Sequence, residues 1–191
     1  MGEDFACVFA TRLGGVARLI ALNGPPGCGK STIARRYADD HPPALALDVD
    51  RVRDLIAGDL GEAGRLARDI AIAAARVHLT SGHDVVVPQF LGRPEFLDRL
   101  AALADEVRAT YHEVVLIDTR DNAIRRFTER GTIQATPAEL SAMYDNLQTI
   151  IATRRPTLVP SIEGDPDHTY QSLLTVLNAE LALPERSTRS T

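Results

Sequence analysis

The residues best equipped for chemistry form one run, Gly24-Pro25-Pro26-Gly27-Cys28-Gly29-Lys30-Ser31-Thr32. Its glycines, lysine and serine fit the spacing G-x-x-x-x-G-K-[ST]. Glycine lets a backbone turn sharply enough for successive N–H groups to point inward at a phosphate. A helix starting at Lys30 adds unpaired amides and the positive end of its dipole. Lys30 can reach the β- and γ-phosphates of a nucleotide, and Ser31 can ligate Mg²⁺. The nine residues Gly24 to Thr32, with Arg126 from farther along the chain, are the expected nucleotide-binding set.

A phosphate cradle holds a nucleotide but does not by itself transfer anything. Transfer to a hydroxyl also needs a group that orients or deprotonates the acceptor. Asp50, just after the apolar stretch Ala44 to Val49, is the candidate; Asp48 lies two residues earlier. One of the pair could serve substrate and the other Mg²⁺ or structure. Asp50 also suits a helix N-cap. Arg53, three residues on, shares a helix face with Asp50. It could clamp substrate beside the base or form a solvated ion pair with it.

Arg126 and Arg130 also share one helix face, while Arg125 points elsewhere. Cations there could stabilise the charge on a transferring phosphoryl group, or complement the helix C-terminus. Arg130-Gly131-Thr132 then opens a loop that could move as a lid. Gln89 stands where many nucleotide-binding proteins place a metal-binding Asp. It can hydrogen-bond a substrate or a Mg²⁺-bound water, but it cannot neutralise the ion. Arg154 and Arg155 could flank an adenine base or simply close a helix. Asp118 could cap a helix or contact substrate. No serine-protease-like triad and no zinc spacing is apparent.

These residues need a scaffold. The apolar run Arg18 to Asn23 reads as a buried strand leading into the loop. Further strands are expected at Ala44–Val49, Asp84–Val87, His112–Asp118 and Thr157–Ile162. Helices are expected at Lys30–Ala38, from near Asp50, at Arg65–Thr80, Pro94–Ala109 and Asp121–Arg130, from Thr136 to about Thr153, and at Tyr170–Leu181. Gly58 to Gly64 reads as a loop. In the third of these helices Leu66, Ile70, Ala73, Ala74 and Val77 recur at helical spacing. Thr136-Pro137-Ala138-Glu139 has the form of a capping box. Strands alternating with helices predict an α/β fold with a parallel sheet covered on both faces. Ligands of such sheets sit at the carboxyl ends of the strands, where Asn23, Asp50, Gln89 and Asp118 fall.

The 191 residues suit one domain at 17–183, with a lead-in at 1–16 and a polar tail at 184–191. No apolar stretch reaches transmembrane length and no basic n-region opens the chain. The two cysteines, Cys7 and Cys28, form no disulfide framework, so a reducing cytoplasm is expected. A net charge of −5 weighs against a large nucleic-acid footprint.

Gly24 to Thr32 followed by Asp50-Arg51-Val52-Arg53 resembles the small P-loop kinases. These include polynucleotide 5′-kinase domains, chloramphenicol phosphotransferase and zeta-toxin-like kinases. Arg126, Arg130-Gly131-Thr132, Pro137 and Met143-Tyr144 follow in the order seen in the polynucleotide kinase branch. The resemblance implies a P-loop NTPase fold, nucleotide-kinase-like, with five parallel strands and a helical lid. It implies ATP and Mg²⁺, with Asp50 as base and Arg53 as a substrate-site arginine. Pro88-Gln89-Phe90-Leu91 departs from the Asp-x-Thr-Asn common in that branch, and this segment lies near the acceptor. The expected activity is γ-phosphoryl transfer to the hydroxyl of a small molecule such as a nucleoside, sugar or antibiotic. The alternatives are a polynucleotide 5′-hydroxyl kinase and a nucleotide-dependent ATPase or switch.

Overall fold

The computed structural model describes residues 16–130 and 136–179. Strand β1 (Arg18–Asn23) is buried along its whole length and runs into the loop that precedes helix α1 (Lys30–Asp40). Then come β2 (Leu45–Ala46), α2 (Val49–Asp54), α3 (Leu60–Thr80), β3 (Val85–Pro88) and α4 (Pro94–Val107). The chain continues through β4 (Thr110–Ile117), α5 (Arg120–Arg130), α6 (Pro137–Arg154), β5 (Thr157–Pro160) and α7 (Pro166–Ala179). The five strands form one sheet in the order β2-β3-β1-β4-β5, and every pairing is parallel.

Strand periodicity builds a core on each face. Leu19 and Ala21 join Val85 and Val87 against α3 and α4, whereas Ile20 and Leu22 join Val86 and Leu116 against α1 and α7. A strand buried on both sides must be apolar throughout, and so β1 and β3 read as unbroken hydrophobic runs. At the amino end of the sheet, Tyr37 Oη donates to Asp84 Oδ2 at 2.7 Å while Asp84 Oδ1 accepts the Arg18 amide at 2.8 Å. Burial beside Asp84 pushes the Tyr37 hydroxyl well above its usual pKa, so it remains a donor.

Several elements differ from expectation. Strand β2 spans only two residues, because Asp48 already caps α2 through its own side chain. Helix α3 starts within the expected glycine loop at Leu60. Asp59 caps it by accepting from the Gly61 and Glu62 amides, which outweighs the low helix propensity of Gly61 and Gly64. Its core-facing stripe is Ala63, Ala67, Ala71, Ala75 and Leu79, while Ile70 and Val77 stand 48% and 69% exposed. Small side chains let α3 approach the sheet closely, and the bulkier residues then face outward. The capping box forms as expected: Thr136 Oγ1 accepts from the Glu139 amide and Glu139 accepts from the Thr136 amide. That bond holds the Glu139 carboxyl below its usual range.

Candidate active site

The phosphate-loop glycines are set by geometry. Gly24 has φ +147°, and a Cβ there would lie 2.5 Å from the Leu116 carbonyl oxygen and 2.9 Å from Cys28 Sγ. Only glycine lets the chain leave β1 this close to β4. Gly29, at φ +88°, is the N-cap of α1 and offers no side-chain acceptor, and no acidic residue occupies the first turn. The amides at this helix start are therefore available to an anion. Lys30 Nζ donates to the carbonyls of Gly24 and Pro25, both at 2.9 Å, which folds the lysine over the loop mouth. From the far side, Ser161 Oγ, just beyond β5, donates to the Cys28 carbonyl at 2.9 Å.

Ser31 and Asp48 meet. Ser31 Oγ donates to Asp48 Oδ2 at 3.0 Å, while Asp48 Oδ1 accepts the Asp50 amide at 3.1 Å. The capping role thus falls to Asp48, and the Asp50 side chain is left for other work. Asp50 Oδ1 accepts from Arg53 Nη1 at 2.8 Å and weakly from Gln89 Nε2 at 3.4 Å. Its other oxygen has no partner among the described residues. Arg53 also donates to Asp54 at 3.2 Å, so two carboxylates neutralise one guanidinium. Arg53 Nε and Gln89 Oε1 are buried polar atoms without a partner among the described residues. The sheet thus brings Ser31, Asp48, Asp50, Arg53 and Gln89 together.

The arginines divide. Arg126 Nη1 donates to Asp118 Oδ2 at 2.8 Å and to Ser161 Oγ at 3.1 Å; the two ion-pair side chains are only 14% and 6% exposed. Through Ser161 this pair braces the phosphate loop. The remaining donors of Arg126 bond nothing among the described residues. Thr119 Oγ1 accepts the Asn122 amide and supplies the cap of α5, which frees Asp118 for the ion pair. The Arg130 side chain and residues 131–135, including Gly131 and Thr132, lie outside the described residues. Arg125 pairs with Glu129 and Glu163. Arg154 is already ion-paired. Glu113 and Asp98 hold it, because β4 places a half-buried carboxylate opposite the end of α6. Arg155 ends α6 with φ +53°.

Sequence reasoning missed three site residues. Asn23 was only a strand end, yet it is completely buried and its amide bonds two loops. A polar residue closing an otherwise apolar strand was the available signal. Ser161 had no such signal, and Tyr144 was marked only as part of Met143-Tyr144 in the family resemblance, without a role. Tyr144 Oη donates to the Asp118 carbonyl at 3.0 Å, and its ring lines an apolar crevice with Pro25, Pro26, Ala123, Ile124 and Leu140.

Comparison with known proteins agrees with the fold. A family described as an AAA domain matches residues 19–152. An adenylate kinase of Deinococcus radiodurans is 30% identical over 148 residues, which cover 69% of this chain and 74% of that protein. The chain belongs to this family of P-loop kinases. Among solved structures, the Deinococcus radiodurans tunicamycin resistance protein has a TM-score of 0.60 at 18% identity, covering 88% of this chain and 97% of that one. A gluconokinase from Sinorhizobium meliloti 1021 also has a TM-score of 0.60 at 18% identity, covering 87% of this chain and 96% of that one. At such identities these two likenesses speak for the fold. The family uses a nucleotide and transfers phosphate. Among the described residues, no helix is long and apolar enough to cross a membrane.

Proposed function

We propose that this protein transfers the γ-phosphoryl group of ATP to a hydroxyl of an uncharged small molecule. The observation that carries this reading is Asp50. It stands beside the nucleotide loop with one oxygen held by Arg53 and Gln89 and the other without a partner among the described residues. A hydroxyl loses its proton as it attacks, and a positioned carboxylate can take it. An acceptor that is already a phosphate needs no base, and it needs cations instead. Here the acceptor-side guanidinium of Arg53 is neutralised by Asp50 and Asp54. An adenylate acceptor, which the name of the Deinococcus relative would imply, therefore fits less well than a neutral alcohol.

In this reading the amides of Gly24 to Thr32 and Lys30 hold the β- and γ-phosphates. Lys30 exchanges the Gly24 and Pro25 carbonyls for phosphate oxygens. The hard oxygen donors of Ser31 and Asp48 fit Mg²⁺, which takes one or two protein ligands and completes its shell with water and phosphate. Bound there, the ion would neutralise charge on the β- and γ-phosphate oxygens. Asp50 orients and deprotonates the acceptor, and Arg53 keeps that carboxylate in place. Gln89 presents its buried Oε1 to a donor group on the acceptor. Arg126 directs its remaining donors toward the transferring phosphate, and Arg130 extends that set.

The test is transfer of radiolabelled γ-phosphate across nucleosides, sugars, hydroxylated antibiotics, adenylate and 5′-hydroxyl oligonucleotides. The expected result is label on a neutral alcohol, with ATP nearly untouched when no acceptor is present. Label on adenylate or water alone would overturn the reading. Efficient, salt-sensitive labelling of oligonucleotides would replace the small acceptor with a polynucleotide.

A further inference from the structure

The nucleotide loop and the loop that carries Gln89 are joined by one side chain. Strand β3 ends at Pro88, which has no N–H to continue the ladder with β1. The Gln89 amide still donates to the Leu22 carbonyl at 3.2 Å. Beyond that point the Asn23 side chain replaces the backbone. Its Nδ2 donates to the Leu91 carbonyl at 2.9 Å, and its Oδ1 accepts the Leu91 amide at 2.9 Å. The same Oδ1 accepts the Gly24 amide, the first of the phosphate loop, at 2.8 Å. A carboxamide has the same donor and acceptor arrangement as a peptide group, so it prolongs the sheet by one rung.

This rung is completely buried, and Leu91 is itself 7% exposed in the core. The next residue is hemmed in from the other side. A Cβ on Gly92 would lie 3.3 Å from the Asn146 Cβ of α6 and 3.1 Å from the Phe90 ring. The segment from Gln89 to Gly92 is therefore held between the phosphate loop and α6. A displacement of Gly24 is passed through one shared oxygen to Leu91, two residues from Gln89.

We infer that Asn23 is a positioning residue that couples nucleotide binding to the geometry of the acceptor loop. The inference rests on the phosphotransfer reading above. ATP held by the loop fixes Gly24, Gly24 fixes the Asn23 amide, and that amide fixes the stretch that presents Gln89 to Asp50. A purely structural asparagine would lower stability without selecting one substrate. A coupling asparagine leaves ATP binding intact and weakens use of the acceptor.

The variant Asn23→Ser removes the carboxamide and leaves a hydroxyl too short to serve both loops. Asn23→Asp keeps the shape and the Oδ1 acceptor but loses the donor to Leu91, and it serves as the second variant if the first does not fold. Hydrogen exchange is followed on peptides spanning 24–32 and 89–93, with and without Mg²⁺ and the non-hydrolysable β,γ-imido analogue of ATP. In the wild type the analogue should slow exchange in both peptides. In a folded variant it should slow exchange in 24–32 alone. Once an acceptor is known, its kcat/KM should fall roughly tenfold to a hundredfold, the range expected for losing one buried hydrogen-bonded pair. The KM for ATP should stay within about threefold, less than the loss of one net hydrogen bond would cause.

Equal protection of 89–93 in wild type and variant would overturn the coupling, as would a wild-type analogue effect confined to 24–32. Absence of any protection in 24–32 of the wild type would instead overturn nucleotide binding itself, and the coupling with it.

Discussion

The two halves of the site are built differently. The donor half is made of backbone: glycine turns, the open start of α1 and carbonyls that hold Lys30. The proposed acceptor half is made of side chains. Asp50, Arg53, Asp54 and Gln89 bond one another on the short helix α2 and the loop after β3. Backbone binding recognises a phosphate in whatever molecule carries it, because amide spacing depends on chain geometry and not on side-chain identity. Side-chain binding can change with single substitutions. This fold can therefore keep one donor and vary the acceptor, and Arg53 Nε and Gln89 Oε1, unpartnered among the described residues, lie on the variable side.

The sharpest way to separate the halves is Asp50→Asn. Transfer should fall by about 10²- to 10⁴-fold, the usual contribution of a general base, while ATP affinity measured calorimetrically stays within a few-fold. Undiminished transfer would remove Asp50 from the chemistry and leave the acceptor half without a base.

Gly24→Ala attacks the donor half instead. The φ of +147° and the 2.5 Å approach to the Leu116 oxygen leave no room for a methyl group. Nucleotide binding should be lost, and thermal unfolding should show destabilisation of roughly 1–3 kcal/mol from backbone strain alone. Normal ATP affinity in this variant would mean that the loop can reshape, contrary to a rigid backbone cradle.

Arg126→Met tests the brace behind the loop. It strands Asp118, only 6% exposed, without its cation, and breaking such a buried pair costs about 3–5 kcal/mol. Replacing both residues by apolar ones should recover much of that loss in a denaturant titration. If stability is unchanged in Arg126→Met, the arginine is not a structural partner of Asp118.

The smallest effect concerns α6, behind the acceptor loop. The depressed Glu139 carboxyl contributes stability above its unfolded pKa, near the ordinary carboxylate value of 4.5. That contribution disappears as pH falls through the lower folded value. The Tm difference between wild type and Glu139→Gln should therefore be present at neutral pH and shrink in acid. A difference independent of pH would exclude the charged capping box as its source.

Part of each half was legible in the sequence, wherever the signal is local. The phosphate-loop spacing, the Asp50 to Arg53 interval and the capping box at Thr136 each depend on neighbours a few residues apart. Choices that depend on distant partners were less legible. Asp48 takes the helix cap and so ends β2 after two residues, and no local pattern marks Asp48 over Asp50 for that role. Arg154 was available to a base in sequence, but Glu113 claims it from a strand 41 residues away. The outward face of α3 was misleading for a related reason. Apolar periodicity marks a stripe, but alanine packs closer to a sheet than Ile70 or Val77 can.

The sequence by itself determined that a strand, a phosphate loop and a helix follow one another, and that an Asp and an Arg stand near the next strand end. It did so because backbone conformation and helical spacing are properties of adjacent residues. Only the tertiary structure decided which carboxylate is free, which arginine is occupied and what joins the two halves. The Asn23 amide meets Leu91 at a sequence distance of 68 residues, and Arg126 reaches Ser161 across 35. Contacts of that kind exist only once the parallel sheet has brought the strand ends side by side.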